Sequence, residues 1–282
     1  MLDSSLCYLA YASGAHGAHP GAALAAQSLQ QLMHSSSDFQ WDAIIEEDTQ
    51  CLPTTAHAIH LNQKLSLAVE QCIHLQKKFV VIGGDHTCAL GTWSGASYAL
   101  SQQPLGMIWI DAHLDAHTPD TSPSNNLHGM PMAALLGHGI EEMTALRHKH
   151  PKIASDRLVY IGTRSFEPEE RALLDSLSVH IFDIHDIQQL GLSHCITEAL
   201  KIAKADQLPY GISLDLDVFD PKWAPGVSCR VAQGLNPKEL MASWPQHAPQ
   251  PVGMEIVELN PLLDNKNTTV ALIPQLVGCF MR

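Results

Sequence analysis

The chain is poor in positive charge. Its 282 residues carry 16 Lys and Arg against 29 Asp and Glu, a formal charge of −13. Such a surface repels a phosphate backbone, which argues against nucleic-acid binding, and it would attract a cationic small molecule. No C-x-x-C pair occurs, and the cysteines number seven: Cys7, Cys51, Cys72, Cys88, Cys195, Cys229 and Cys279. An odd count without paired spacing suits neither a disulfide framework nor a structural zinc ribbon, and predicts a reducing, cytoplasmic setting. Residues 1–12 lack a basic segment and carry Asp3, so no secretory leader is expected. Residues 86–110 contain no Asp, Glu, Lys or Arg, yet Ser94, Ser97, Ser101, Gln102, Gln103, Pro104 and Gly106 interrupt them. That stretch therefore reads as a buried helix and strand, with no membrane span expected. Charged residues make up only 16% and hydrophobic residues 45%, which disfavours long disordered tracts and suffices for one large α/β core. No internal repeat or linker is visible, so residues 1–282 are expected to form a single domain.

What is present alternates. Short apolar runs at 6–10, 79–82, 105–110, 158–161, 179–182, 210–216 and 251–257 read as strands. Helical patterns follow at 87–100, 168–177, 191–205, 236–243 and 268–280, the last weakened by Pro274. Strands alternating with helices predict βα units and a parallel sheet, whose active site lies beyond the carboxyl ends of the strands. The long segments 118–130 and 218–233 are rich in loop-forming residues and are expected to be functional loops. Segment 12–21, with His16 and His19, is expected to be an ordinary surface turn.

Three acidic clusters follow the apolar runs: Gly83-Gly84-Asp85-His86, Asp111-Ala112-His113-Leu114-Asp115, and Asp215-Leu216-Asp217-Val218-Phe219-Asp220-Pro221. Carboxylates gathered at buried strand ends require a cation, because an unpaired buried charge costs several kcal/mol. Residues two apart on a strand share a face, so Asp111, His113 and Asp115 are expected to point together, as are Asp215 and Asp217. Four carboxylates and two imidazoles without a thiolate suit manganese, magnesium or non-haem iron. Two such ions about 3.5–4 Å apart can turn a shared water into hydroxide near neutral pH. Each cluster alone has a bland alternative: a turn, an exposed strand end, or a helix cap at His86.

Together, in this order and spacing, the clusters and Ala224-Pro225-Gly226 resemble the ureohydrolase family of arginases, agmatinases and their relatives. The resemblance spans nearly the whole chain. It implies a three-layer α/β/α sandwich with a mainly parallel central sheet and two Mn2+ ions. One ion would take His86, Asp111, Asp115 and Asp215. The other would take His113, Asp111, Asp215 and Asp217. Ser124-Asn125-Asn126-Leu127-His128-Gly129 is similar to the arginase loop that contacts the amino-acid end of the substrate. The resemblance implies carboxylate contacts from Ser124 and Asn126, proton exchange by His128, and a grip on the guanidinium by Glu258. It implies proton delivery to the departing amine by Asp115. The implied reaction is hydrolysis of L-arginine to L-ornithine and urea, by a homo-oligomer that is a trimer or hexamer.

Four departures bear on substrate choice. His117 stands where the family has asparagine, and Asn125 where it has glycine. Glu167 stands where arginases carry an aspartate for the α-amino group, with Glu170 matching a second acid. Ser228-Cys229-Arg230 replaces a usual Gly-Thr-Pro. Glu167 and Glu170 are read either as substrate contacts or as helix N-terminal acids beside Pro168. Cys229 is expected to be a small buried residue, not a nucleophile. The alternatives are another amidine hydrolase, such as agmatinase or formimidoylglutamase, and a catalytically silent binding subunit.

Overall fold

The computed structural model describes residues 5–33, 39–46 and 54–281. Met1, Asp3 and Cys51, which entered the readings above, lie outside them. In chain order the elements begin with β1 (Leu6–Ala12), α1 (Ala25–Met33), β2 (Ala43–Glu46), α2 (Thr55–His74), β3 (Lys78–Ile82), α3 (Cys88–Ala99) and β4 (Leu105–Ile110). There follow α4 (Pro131–Leu135), α5 (Glu141–Thr144), β5 (Ile153–Ile161), α6 (Pro168–Ser176), β6 (His180–Phe182), α7 (Ile184–Leu190) and α8 (Leu192–Ala203). The series ends with β7 (Tyr210–Asp215), α9 (Pro237–Ser243), β8 (Gly253–Val257) and α10 (Ile273–Phe280).

The strands form one eight-stranded sheet in the order β2-β1-β3-β8-β7-β4-β5-β6. Every pairing between these strands is parallel. The two faces of each strand feed two separate cores, as a period of two requires. Val80, Ile82, Ile108, Ile110, Ile212, Leu214, Met254 and Ile256 pack with α1, α7, α8, α9 and α10. Phe79, Val81, Met107 and Trp109 pack on the other face with α2 to α6. The sheet buried on both sides is why its strands read as continuous apolar runs. This is the three-layer α/β/α arrangement expected.

Several boundaries moved. β5 begins five residues earlier than the apolar run 158–161 suggested. Its first half, Ile153 to Arg157, is more polar and only partly buried. The closing helix splits into a 3-10 turn, Val270–Leu272, and α10, with Pro274 in the first turn of α10. Proline is tolerated there because its missing N–H would have no intrahelical partner. Segment 13–19 is not an ordinary surface turn. His16 is buried, and the loop lies against the glycine pair after β3. Asp85 N–H donates to Ser13 O at 2.9 Å, and His16 N–H donates to Asp85 Oδ2 at 3.1 Å. A Cβ on Gly84 would sit 1.6 Å from Ser13 O, so only glycine allows this approach.

Candidate metal centre and pocket

The four central strands, β3-β8-β7-β4, all end at the same rim. His86 follows β3, Asp111 to Asp115 follow β4, Asp215 closes β7 and Glu258 follows β8. This is where a parallel α/β sheet places a site.

The side chains converge, but not by strand alternation. β4 stops at Ile110, so Asp111 to Asp115 lie on a turn, where Asp115 takes φ +48°. Asp217 lies in a 3-10 turn, Leu216–Val218, after β7. The expectation that a shared strand face aligns these residues is therefore replaced by local capping. His113 N–H donates to Asp111 Oδ1 at 2.7 Å, and Asp217 N–H donates to Asp215 Oδ1 at 2.8 Å. Each aspartate folds the next two residues back on itself, the habit of an Asx turn.

His86 Nδ1 faces Asp115 Oδ2 at 2.9 Å, Asp215 Oδ2 at 3.3 Å and Asp111 Oδ2 at 3.4 Å. His113 Nδ1 faces Asp217 Oδ2 at 3.0 Å and Asp111 Oδ1 at 3.6 Å. Asp111 thus turns one oxygen to each imidazole. Two sets of donor atoms, His86/Asp111/Asp215 and Asp111/His113/Asp217, each lie within 4.8 Å of one another. His86 Nδ1 is buried yet makes no directed hydrogen bond. Burial, with the charges of Asp217 and Asp111, pushes Asp215 well above its usual range, and burial pushes Asp217 up to about 6 against the pull of His113. Burial and mutual repulsion both oppose the charged form of Asp215 and Asp217, and a cation would relieve them. An orphaned imidazole nitrogen among oxygens that repel one another fits divalent cations, and this donor set accommodates two.

The imidazole of His86 is held from behind. Its Nε2 lies 2.9 Å from Ser213 Oγ, which donates to Glu255 Oε1 at 2.8 Å. Trp93 Nε1 donates to the same Glu255 oxygen at 2.6 Å. Trp93 reaches it because Gly211 leaves room; a Cβ there would be 2.1 Å from the indole ring. Trp109 stacks on His86 at 4.3 Å and donates to Asp111 Oδ2 at 2.9 Å. Ser213, Glu255, Trp93 and Trp109 were not singled out from the sequence. Ser213 and Glu255 point to one face of β7 and β8, and a polar residue inside an otherwise apolar strand was the available signal. Arg164 ties the rim together, donating to the carbonyls of Gly162, Asp217, Val218, Val231 and Ala232.

A cavity of about 340 Å³ opens over the metal ligands. Its wall includes His113, Asp115, His117, Ser124, Asn126, His128, Glu167, Glu170, Cys229 and Glu258. Glu258 is 3% exposed and its Oε1 accepts from His86 N–H at 2.9 Å. The same oxygen lies 3.0 Å from His128 Nδ1. Burial lowers the affinity of His128 for a proton, but the Glu258 carboxylate outweighs it and raises the pKa to about 9. His128 is thus mostly enclosed and favours the protonated form. Glu258 and Asn125 take φ of +63° and +58°. Asparagine tolerates this left-handed region better than most residues, so Asn125 fits the turn. Ser124 is exposed and Asn126 half-buried at the mouth, linked by an Asn126 N–H to Ser124 Oγ bond of 3.2 Å. Cys229 is pushed up to about 12 by burial, so its thiol stays protonated. Glu170 caps α6 by accepting from Glu167 N–H at 3.1 Å, the helix-cap alternative raised for it.

Comparison with known proteins agrees with this geometry. A family model described as the arginase family matches residues 9–282. An arginase of Bacillus subtilis is 40% identical over 223 residues, covering 77% of this chain and 74% of that protein. An arginase of Bacillus caldovelox is 37% identical over 219 residues, covering 77% and 73%. The crystal structure of the Bacillus subtilis arginase superposes with a TM-score of 0.89 at 32% identity, covering 99% of this chain and 98% of that one. A fold shared end to end, a matching family model and relatives well above 30% identity leave one assignment: the chain belongs to the arginase family.

Proposed function

We propose that this chain is an arginase: a metal-dependent hydrolase that converts L-arginine to L-ornithine and urea. The observation that carries the reading is one cavity lined both by His113, Asp115, Asp215 and Asp217 of the cation-binding donor set and by the buried carboxylate of Glu258. Two divalent cations held by His86, Asp111, His113, Asp115, Asp215 and Asp217 would supply Lewis acidity and a hydroxide nucleophile at neutral pH. Manganese is the proposed metal, on the oxygen-rich, thiolate-free donor set.

The rest of the chemistry belongs to the chain. Glu258 grips the guanidinium, a rigid fork of donors that a carboxylate matches. Asp115 takes the proton released as water adds to the guanidinium carbon and returns it to the departing δ-nitrogen. His128, on Glu258, exchanges that proton with solvent. Ser124 and Asn126 hold the α-carboxylate, and Glu167 meets the α-amino group. The burial of Glu258 makes this grip strong, because a carboxylate out of water loses less to solvent competition.

The proposal extends to a single domain over residues 1–282, a trimeric or hexameric homo-oligomer, and the cytoplasm. Among the described residues no helix is long and apolar enough to cross a membrane. The test is urea release, after manganese loading, from L-arginine and from agmatine side by side. Release from L-arginine with little from agmatine is expected. Release from agmatine alone would overturn the substrate assignment.

A further inference from the structure

The cavity has a second polar group, apart from the metal ligands. His117 Nε2 lies 2.9 Å from Glu167 Oε2 and 3.4 Å from Glu170 Oε2. These partners come from distant parts of the chain, and His117 and Glu167 are two of the positions that depart from the family pattern.

The three groups are not equivalent. Glu170 is 4% exposed and already engaged, accepting from Ala116 N–H at 3.0 Å and from Glu167 N–H at 3.1 Å. Those bonds join the start of α6 to the loop that carries Asp115. His117 is 8% exposed and fixed at three points. Its backbone N–H donates to Gly129 O at 3.0 Å, its Nδ1 lies 3.1 Å from Thr121 Oγ1, and its Nε2 reaches Glu167. Glu167 is different, with half its side chain open to solvent. A glutamate so exposed would otherwise sample several rotamers. The fixed imidazole, together with the capping box at the start of α6, selects one of them. A carboxylate offers about four acceptor positions, so the contact with His117 leaves capacity for a ligand donor.

Among the described residues the cavity wall contains no Lys or Arg. Besides the metal ligands, a ligand therefore meets the carboxylates of Glu258, Glu170 and Glu167, of which Glu167 is the one open to solvent. We propose that His117 is a positioning residue for specificity: it holds Glu167 toward the cavity, so that the site prefers ligands with an ammonium beside their carboxylate. This rests on the substrate class proposed above and adds the residue that sets the preference within it. The role does not require His117 to be charged, only that Nε2 carries the proton it shares with Glu167.

Calorimetric binding of L-ornithine and of 5-aminopentanoate, which lacks only the α-amino group, tests this on the manganese-loaded protein. The unaltered chain should prefer L-ornithine. His117→Leu should reduce that preference about tenfold, the worth of one charge-assisted hydrogen bond. His117→Gln, which can still offer an N–H to Glu167, should keep most of it. His117→Leu/Glu167→Gln should be no worse than Glu167→Gln alone, because the first residue acts through the second. No preference in the unaltered chain, equal weakening of both ligands, or additive losses would each overturn the proposal. A melting temperature for each variant separates loss of fold from loss of preference. Urea release by the unaltered chain, measured alongside, decides the proposed reaction independently.

Discussion

Single side chains decide whether the centre holds its cations. Asp215 Oδ2 faces His86 while Oδ1 folds Asp217 back into the site. Asp215→Ala should therefore empty both halves at once. Metal analysis after desalting should find less than one ion per chain, and urea release should vanish. Ser213 acts at one remove, steering the His86 ring through Nε2. Ser213→Ala should leave the fold intact and weaken manganese binding about 10–100-fold, the usual cost of losing such a support. A competition titration against a chelator reads this directly; unchanged affinity would show the ring to be held by its stacking on Trp109 alone.

The ligand residues were legible in the sequence because their chemistry is dense and local: three short clusters, each behind an apolar run. The means by which they converge was not, because Asx-type turns and a φ of +48° at Asp115 leave no periodic trace. The contact of His117 with Glu167 was invisible for another reason. It joins residues fifty apart, and each looked like an isolated oddity.

At the level of elements, the central strands were readable because burial on both faces makes them uniformly apolar. α2 was not noticed, although Ala58, Leu61, Asn62, Leu65, Ser66, Val69 and Cys72 follow helical spacing along its buried side. Asn62 and Ser66 on that side blur the apolar stripe. β2 was missed as well, being a short edge strand with one buried residue, Ile45. The packing of α3 on the sheet makes a further prediction. Gly211 on β7 is open so that Trp93 can reach Glu255. Gly211→Ala should displace the indole and destabilise the protein by about 1–3 kcal/mol, the usual range for overpacking. Chemical denaturation would measure it. A variant as stable as the parent would mean that the indole has somewhere else to go.

For the molecule as a whole, stability should depend on pH through a group far from the metal. His148 Nε2 lies 3.1 Å from Ser97 Oγ, and Lys152 donates to the carbonyls of His148 and Thr144. Burial first, then the Lys152 charge, depresses His148 from 6.5 to about 4. The folded state thus prefers neutral His148, while the unfolded chain takes up its proton near 6.5. The stability this group supplies is present above that value and is lost as pH falls towards about 4. His148→Gln should flatten the decline across that window, read from melting curves at equal metal load. The cations should act in the opposite sense. At a hundred times their dissociation constant they should add about 2.7 kcal/mol, so chelation should lower the melting temperature.

The sheet order has a consequence for how the protein is made. β8 is the last strand in the chain, yet it lies in the middle, between β3 and β7. Until it emerges from the ribosome, the two halves of the sheet face one another across a gap, each with a bare interior edge. Glu258 arrives with it, so a nascent chain has neither a closed sheet nor a complete pocket until residues 253–258 have been made. Chains stopped just before Gly253 should carry two unpaired apolar edges and clump with their own kind, whereas supplying the missing strand as a separate peptide should keep them in solution.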